Sequence, residues 1–236
     1  MNFADHDNKA RETTLQSEID AEGYAVLPGL LSENECRALI EHYDDGSTGY
    51  RSVIDMARYN FGQGEYRYFD HPLPKIVSQL RSTLYPTLAR IANTWEEQLG
   101  QAPTWPDDLE TLLQRCHAAG QRRPTPLILR YHESDYNCLH QDLYGEIHFP
   151  LQVAILLSRP GVDFTGGELV LVEQRPRMQS RPMVVHLNQG DAAVIPVRER
   201  PREGRRGYHR VQMRHGVARI NSGERLTLGI IFHDAT

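Results

Sequence analysis

The residues best suited to chemistry in this chain are two histidines and one aspartate. His140 and Asp142 are separated by one residue, and side chains at positions i and i+2 of an extended segment point the same way. His215 lies in a later segment with strand-like character. Two imidazoles and one carboxylate are the ligand set of a non-haem Fe(II) centre, which keeps positions open for a co-substrate and oxygen. The spacing therefore predicts a metal site for oxygen chemistry.

Arg225 adds a second chemical group, ten residues beyond His215. A guanidinium holds a carboxylate through two parallel hydrogen bonds, so this arginine is predicted to bind the far carboxylate of a 2-oxo acid. His209 is the alternative distal ligand, but it lies sixteen residues before Arg225, which does not fit the usual geometry. The other histidines in strand-like runs are interpreted as core or surface residues: His148, His186 and His233.

Helical patterns dominate the first half of the chain. Ser32 and Glu35 form a capping box, which predicts that a helix follows. Apolar residues at three- and four-residue intervals predict an amphipathic helix over 76–95, with Pro86 as a kink or a break. The same pattern predicts a further helix over 107–119.

Short β-rich runs replace the helical pattern from Leu127 onwards, and most gaps contain Gly, Pro, Asn or Asp. Many short strands at near-regular spacing are typical of a sandwich or barrel. A polar loop over 132–139 is expected to deliver His140. We therefore expect a mainly β fold with α elements, in a single domain over 1–236. Its core is a double-stranded β-helix, or jelly roll, over 126–236, and helices over 1–125 buttress that core.

Bulk composition narrows the class of protein. The net charge is −5, and hydrophobic residues make up 39% of the chain, enough for a core. Three cysteines without a CxxC pair predict neither a zinc framework nor a disulfide set, as expected in a reducing cytoplasm. No apolar leader and no run long enough to span a membrane occur in the sequence. We expect a soluble, cytoplasmic protein, and the sequence gives no oligomeric state.

Further motifs follow the HxD pair in a fixed order: FTGGEL at 164–169, QGDAAVI at 189–195, HGV at 215–217 and SGERLTL at 222–228. With them, residues 126–236 resemble the Fe(II)- and 2-oxoglutarate-dependent dioxygenase superfamily in its prolyl-hydroxylase-like spacing. The resemblance implies that His140, Asp142 and His215 bind iron. It also implies that 2-oxoglutarate is the co-substrate, and that Arg225, Thr227 and Tyr131 contact it.

A second resemblance covers nearly the whole chain. The segments 136–146, 173–180 and 229–234 resemble a bacterial oxygenase family described as oxidative demethylases of damaged DNA. Arg219 and Arg225 also form the RxxxxxR pair seen in AlkB-like repair enzymes, although there the pair lies further from the distal histidine. This resemblance implies a function in DNA repair.

Three substrate classes stay open, with one non-catalytic alternative. Seven arginines between Arg198 and Arg214 form either a solvated loop or a surface for the phosphates of damaged nucleic acid, with Tyr208 able to stack on a base. The triad spacing favours a protein hydroxylase of the prolyl type, and a small metabolite is the third class. The remote alternative is a metal-free binding module. Residues 46–72 show no periodic pattern, and 173–181 are either a hairpin tip or a substrate lid.

Overall fold

The computed structural model describes residues 3–45 and 49–236. Within them, four α-helices are formed: α1 Phe3–Glu22, α2 Glu33–Asp45, α3 Lys75–Gln98 and α4 Leu109–Ala118. The strands are β1 Ala25–Leu27, β2 Tyr50–Asp55, β3 Gly62–Gln63, β4 Glu65–Phe69, β5 Leu127–Tyr131, β6 Tyr136–His140, β7 Leu151–Leu156, β8 Phe164–Gly166, β9 Leu169–Gln174, β10 Arg181–Val185, β11 Ala192–Pro196, β12 Glu199–Gly204, β13 Gly207–Val217, β14 Ile220–Gly223 and β15 Arg225–Ile230. No helix among them is long and apolar enough to cross a membrane.

The strands build three antiparallel sheets, and the smallest is the two-stranded pair of β8 and β14. The larger sheet has seven strands in the order β1-β11-β7-β15-β5-β4-β2. The smaller sheet has the order β10-β9-β13-β6-β3, and β12 pairs with β13. Leu171 and Met213 of the smaller sheet pack in one apolar cluster with Ala193 and Ile195 of the larger one. The sheets therefore lie face to face, as in the jelly roll expected from the sequence.

The helices cover the outer face of the larger sheet. Alternation along β15 shows how this covering positions the site, because successive side chains of a strand point to opposite faces. Leu226, Leu228 and Ile230 pack in the same cluster as the buried side chains of all four helices. Arg225 and Thr227 point to the opposite face, into the space between the sheets. The predicted helical buttress is thus what turns Arg225 inward.

Most predicted elements in the N-terminal half are confirmed. The Ser32 amide and hydroxyl both bond to the Glu35 carboxylate at the start of α2, as the capping box predicts. Helix α3 is continuous through Pro86, so the predicted break does not occur. Helix α4 begins after Asp108, whose carboxylate accepts the Thr111 N–H.

One prediction about local structure is wrong. The segment 132–139 is not one loop, because Tyr136–His140 forms strand β6, paired with β13 and β3. The segment 46–72, which shows no periodic pattern in the sequence, contributes β2, β3 and β4, while residues 46–48 lie outside the described part. The first half of the chain therefore also extends the sheets. Residues 173–181 span the end of β9, the connection and the start of β10, so the hairpin is observed.

Buried His233 makes stability depend on pH. Its Nδ1 accepts the Phe149 N–H at 3.1 Å, and burial together with the charge of His148 lowers its pKa to about 3. Protonation therefore favours the unfolded chain, and the stability contributed above pH 6.5 is lost as the pH falls toward 3. From pH 7 to 5 this group alone costs about 2 kcal/mol of the free energy of unfolding.

We expect His233→Asn, which keeps an acceptor for Phe149, to unfold with a shallower pH dependence than the wild type. Urea unfolding of chelator-treated protein at pH 7 and pH 5 measures the difference. Equal pH slopes in the two proteins would contradict the assignment.

Candidate metal centre

The pairing of β6 with β13 creates the candidate metal centre. Their register sets His140 directly opposite His215, with ring centroids 4.3 Å apart. Asp142 follows two residues after the last pair, and its Oδ2 lies 3.1 Å from His215 Nε2. Its Oδ1 lies 3.6 Å from His140 Nε2. One ligand atom from each residue lies within 4.8 Å of the others, so a single ion can be reached by all three.

Hydrogen bonds orient two of the three candidate ligands, His140 and Asp142. His140 Nδ1 lies 2.8 Å from the Cys138 carbonyl oxygen and donates to it, which leaves Nε2 free to face the site. The Tyr144 hydroxyl donates to Asp142 Oδ1 at 2.6 Å. The Gln152 amide nitrogen lies 3.3 Å from His215 Nε2, the nitrogen that faces Asp142, and the buried His215 Nδ1 has no hydrogen-bond partner among the described residues. Partners such as the Cys138 carbonyl and the Tyr144 hydroxyl fix the tautomer and orientation of metal ligands.

The protonation states of the site fit a metal ion. Burial acts to raise the pKa of Asp142, but hydrogen bonding from His215 and the charges of both histidines bring it well below its ordinary value. The pKa of His140 is lowered by burial and by the neighbouring charge of His215. An ionised carboxylate and a neutral imidazole are the forms that coordinate a metal. The residues present therefore fit a divalent ion with nitrogen and oxygen preference, such as Fe(II).

Arg225 lies buried without a counter-ion. It is 2% exposed, and burial lowers its pKa to about 10, so it stays charged near neutral pH. Its Nη1 donates to Thr227 Oγ1 at 2.5 Å, but its Nε has no partner. Among the described residues no carboxylate forms an ion pair with it. Because an unpaired buried charge is costly, the arrangement favours an anionic ligand at this point.

One cavity of about 270 Å³ joins the metal ligands to this arginine. All the site residues expected from the sequence line it: Tyr131, His140, Asp142, His215, Arg225 and Thr227. Tyr131 pairs with Arg225 in the register of β5 and β15. The alternative histidines do not line this cavity. His209 instead sits exposed on β13 opposite Arg202.

Three further polar residues at the site were missed from the sequence. Tyr144 and Gln152 contact the candidate ligands, and the Asn137 amide donates to the Tyr131 hydroxyl at 3.2 Å. Gln152 could have been identified from the sequence, because it is the only polar residue in the apolar strand β7. Asn137 could not be recognised while its segment was interpreted as a loop.

Comparison with known proteins decides the family. A family model named Oxygenase-NA, described as an oxygenase catalysing oxidative methylation of damaged DNA, matches residues 64–235. The chain belongs to this family. Uncharacterized proteins from two strains of Mycobacterium tuberculosis are each 52% identical over 167 residues, which is 71% of this chain and 72% of the relative. The predicted family is confirmed, and with it the prediction that the chain is an oxygenase.

Solved structures confirm the predicted fold. A prolyl-4-hydroxylase from Pseudomonas putida matches with a TM-score of 0.55 at 13% identity, over 95% of this chain and 100% of that one. An oxidoreductase of the 2OG-Fe(II) oxygenase family from Burkholderia pseudomallei matches with a TM-score of 0.52 at 15% identity, over 95% and 92%. The predicted Fe(II) and 2-oxoglutarate agree with this shared fold and with the group His140, Asp142 and His215.

The Tyr144 hydroxyl should influence metal affinity through Asp142. We expect Tyr144→Phe to bind Fe(II) about 10- to 100-fold more weakly, because an outer hydrogen bond that orients a ligand is lost. Anaerobic calorimetric titration measures the affinity. Tyr136→Phe is the matched control, since Tyr136 lies exposed on β6. Equal affinity in Tyr144→Phe and wild type would show that the hydroxyl does not orient the ligand.

Proposed function

We propose that the protein is an Fe(II)- and 2-oxoglutarate-dependent dioxygenase that removes N-methyl groups from damaged nucleic acid by hydroxylating them. The observation that carries the cofactor assignment is the buried, unpaired Arg225 in the same cavity as His140, Asp142 and His215. A metal ion alone would leave that guanidinium without a carboxylate partner, whereas a dicarboxylate co-substrate satisfies both ends of the cavity.

Each residue has a distinct role in this proposal. His140, Asp142 and His215 hold Fe(II), and Arg225 holds the distal carboxylate of 2-oxoglutarate. Thr227 Oγ1 accepts from Arg225, so its own proton is free to donate to the same carboxylate. When bound, Fe(II) and 2-oxoglutarate supply the oxidation of one substrate C–H bond by oxygen, with succinate and carbon dioxide as co-products. On an N-methyl group the hydroxylated product sheds formaldehyde.

The Tyr131 hydroxyl is placed to meet the same co-substrate. It accepts from Asn137, which leaves its own proton available to a ligand oxygen. Burial raises the pKa of Tyr131 above its ordinary value, so the hydroxyl keeps this proton. The residue is fully buried beside Arg225, and it also excludes water from that end of the cavity.

Support for a nucleic-acid substrate comes from the family description and from an arginine-rich hairpin. Strands β12 and β13 form this hairpin, with Arg205 and Arg206 between them. Several arginines between Arg198 and Arg214 already form ion pairs within the fold. Arg200 and Arg202 both bond to the buried Glu173 carboxylate, which also accepts from Arg175, and Arg210 pairs with Glu199.

The arginines left for a ligand are fewer than the sequence suggested. Arg198, Arg205, Arg206 and Arg214 are exposed, and among the described residues none of them forms an ion pair. Strand β13 runs without interruption from this hairpin to His215. At roughly 3.3 Å per residue, the hairpin turn lies about 26 Å along the strand from the metal centre. A nucleic-acid strand bound there could continue into the cavity.

A peptide hydroxylase is the second candidate, because the ten-residue spacing from His215 to Arg225 is of the prolyl-hydroxylase type. We also infer that the chain works as one domain, since β1, β2 and β4 belong to the same sheet as β5 and β15. The reducing cytoplasm stays our prediction for its location, in keeping with the three free cysteines.

Succinate release tests the proposed function directly. We expect Fe(II)-loaded protein with 2-oxoglutarate to be strongly stimulated by methylated single-stranded DNA, with formaldehyde formed in step. Asp142→Ala should abolish the turnover. Turnover that DNA leaves unchanged would retain the oxygenase and transfer the search to peptides and metabolites. Turnover by Asp142→Ala equal to the wild type would overturn the ligand assignment.

Arg225 should control co-substrate affinity more than metal affinity. We expect Arg225→Ala to weaken 2-oxoglutarate binding by about 30-fold or more, because truncating one partner of a buried charge pair costs about 2–5 kcal/mol. Calorimetric titration of the metal-loaded protein measures it. Arg225→Lys keeps the charge without the two parallel hydrogen bonds and should lie between the two. Unchanged affinity in Arg225→Ala would place the co-substrate elsewhere.

Arg205 and Arg206 should act through phosphates. We expect Arg205→Ala/Arg206→Ala to lower the slope of log affinity against log salt by about 1.4 for single-stranded DNA, since each phosphate contact contributes about 0.7. Fluorescence anisotropy between 50 and 200 mM salt measures the slope. Arg159→Ala is the control, because Arg159 already pairs with Asp163. A slope equal to the wild type would remove this hairpin from the DNA path.

A further inference from the structure

Two exposed aromatic rings stack on each other, and one of them borders the cavity that contains the candidate metal ligands. Tyr59 is 56% exposed and Phe61 is 45% exposed, and their rings stack with centroids 5.7 Å apart and planes 20° from parallel. Phe61 also lines the cavity that contains the candidate metal ligands. Leu143, itself 42% exposed, lines the same cavity just beyond Asp142. A flat apolar surface therefore borders the route by which a substrate reaches the metal.

The segment that carries the rings, residues 55–64, is named the aromatic turn. Its first part is a 3-10 helix, Met56–Tyr59, capped by the Asp55 carboxylate, which accepts the Ala57 N–H at 3.0 Å. Asn60 has a φ of 59°, a left-handed conformation that asparagine tolerates. The Phe61 N–H then donates to the Met56 carbonyl at 3.1 Å. These bonds fix the backbone on both sides of the two rings.

The aromatic turn is also attached to the strand that carries His140. The Phe61 carbonyl accepts the Cys138 N–H at 2.8 Å, and Gly62 pairs with Asn137. A Cβ on Gly62 would lie 2.3 Å from the Tyr136 carbonyl oxygen, so only glycine permits this approach. The rings are thereby held in a fixed position relative to the metal ligands.

Met56, beneath the aromatic turn, and the two exposed rings have different roles. Met56 is fully buried and packs with Tyr131 and Phe164, so it anchors the turn to the core. Tyr59 and Phe61 contribute to neither that cluster nor the main core. Their exposed faces are not needed for folding, and an ordered pair of aromatic rings is suited to stacking against another flat ring.

We propose that Tyr59 and Phe61 form a platform that stacks on an unpaired nucleobase of the substrate strand, next to the methylated base that enters the cavity. This inference rests on the proposed nucleic-acid substrate. A base that enters an enzyme cavity must leave its stack, and its neighbour loses a stacking partner. An aromatic platform at the mouth replaces that lost contact, and it accepts any base because every base has a π face.

Positive charge lies on the aromatic turn itself and, further away, on the arginine-rich hairpin. Arg58 of the aromatic turn is mostly exposed and makes only a 3.7 Å ion pair with Asp55. The arginine-rich hairpin projects from β13, the strand that pairs with β6 beside the aromatic turn. The stacking surface and the exposed guanidinium groups together match a single strand of nucleic acid, which offers bases and phosphates in alternation.

The test measures binding of a labelled ten-nucleotide single strand with one N-methylated base, by fluorescence anisotropy, using the full chain. A second strand of equal length replaces the bases flanking the methylated one with abasic sites. We expect Tyr59→Ala/Phe61→Ala to bind the first strand at least tenfold more weakly than the wild type, with an unchanged salt slope. The abasic strand should bind both proteins equally. Tyr59→Phe, which keeps the ring, should resemble the wild type.

Control variants distinguish a failure of the platform from a failure of the proposed nucleic-acid substrate. Val162→Ala removes an apolar side chain that is 70% exposed on a different loop, and it should bind both strands as the wild type does. Equal urea midpoints would confirm that the variants fold. If the wild type binds and turns over methylated DNA, and Tyr59→Ala/Phe61→Ala binds it equally well, the platform alone is overturned. Equal losses of affinity for both strands would also overturn the platform alone. If the wild type does not bind methylated DNA, both the nucleic-acid substrate and the platform are overturned. The same holds if Tyr59 and Phe61 bind only a proline-containing peptide.

Discussion

The register between β6 and β13 is the constraint on which the rest of the site depends. It puts His140 opposite His215, and the chain beyond β6 then brings Asp142 to both rings. Because side chains alternate along a strand, a shift of one residue would turn His215 out of the site. The same strand β6 receives β3, which bears the aromatic turn, while β13 continues into the arginine-rich hairpin. Metal ligands and both proposed substrate contacts are therefore fixed by one pair of strands.

Charge burial is the second organising feature of the molecule. Asp142 and Arg225 are placed in a largely apolar space between two sheets, where an isolated charge is costly. Asp142 is stabilised by the histidines and by the Tyr144 hydroxyl. Arg225 donates to Thr227 and lies near aromatic rings, and no carboxylate forms an ion pair with it among the described residues. Under the proposed function, this asymmetry gives the cavity a satisfied end for the metal and an unsatisfied end for an anion. In contrast, buried Arg81 is fully used by the fold, because it holds Asp234 and the Phe232 carbonyl.

Particular elements show where local pattern was sufficient and where it was not. The helices α2, α3 and α4 were predicted because apolar spacing and capping are encoded within each segment. Strand β6 was interpreted as a loop because its residues are mostly polar and exposed, and it is extended only through pairing with β13. Strands β2 and β4 were not predicted from the sequence for a related reason. Their half-buried side chains show no alternation, and they form by extending the edge of a sheet whose other strands are distant in sequence.

The sequence by itself predicted the jelly roll through strand alternation, and it predicted the family and the six residues of the candidate site through motifs that resemble a known family, because spacing and motif order are local properties. Only the tertiary structure decided which charged side chains already form ion pairs within the fold. Glu173 neutralises arginines that are far from it in the chain, so the available positive charge is smaller than the run implies. The tertiary structure also brought Tyr144 and Gln152 to the metal ligands, and Tyr59 and Phe61 to the cavity mouth. Contacts between distant segments depend on how the sheets pair, and no local pattern encodes that pairing.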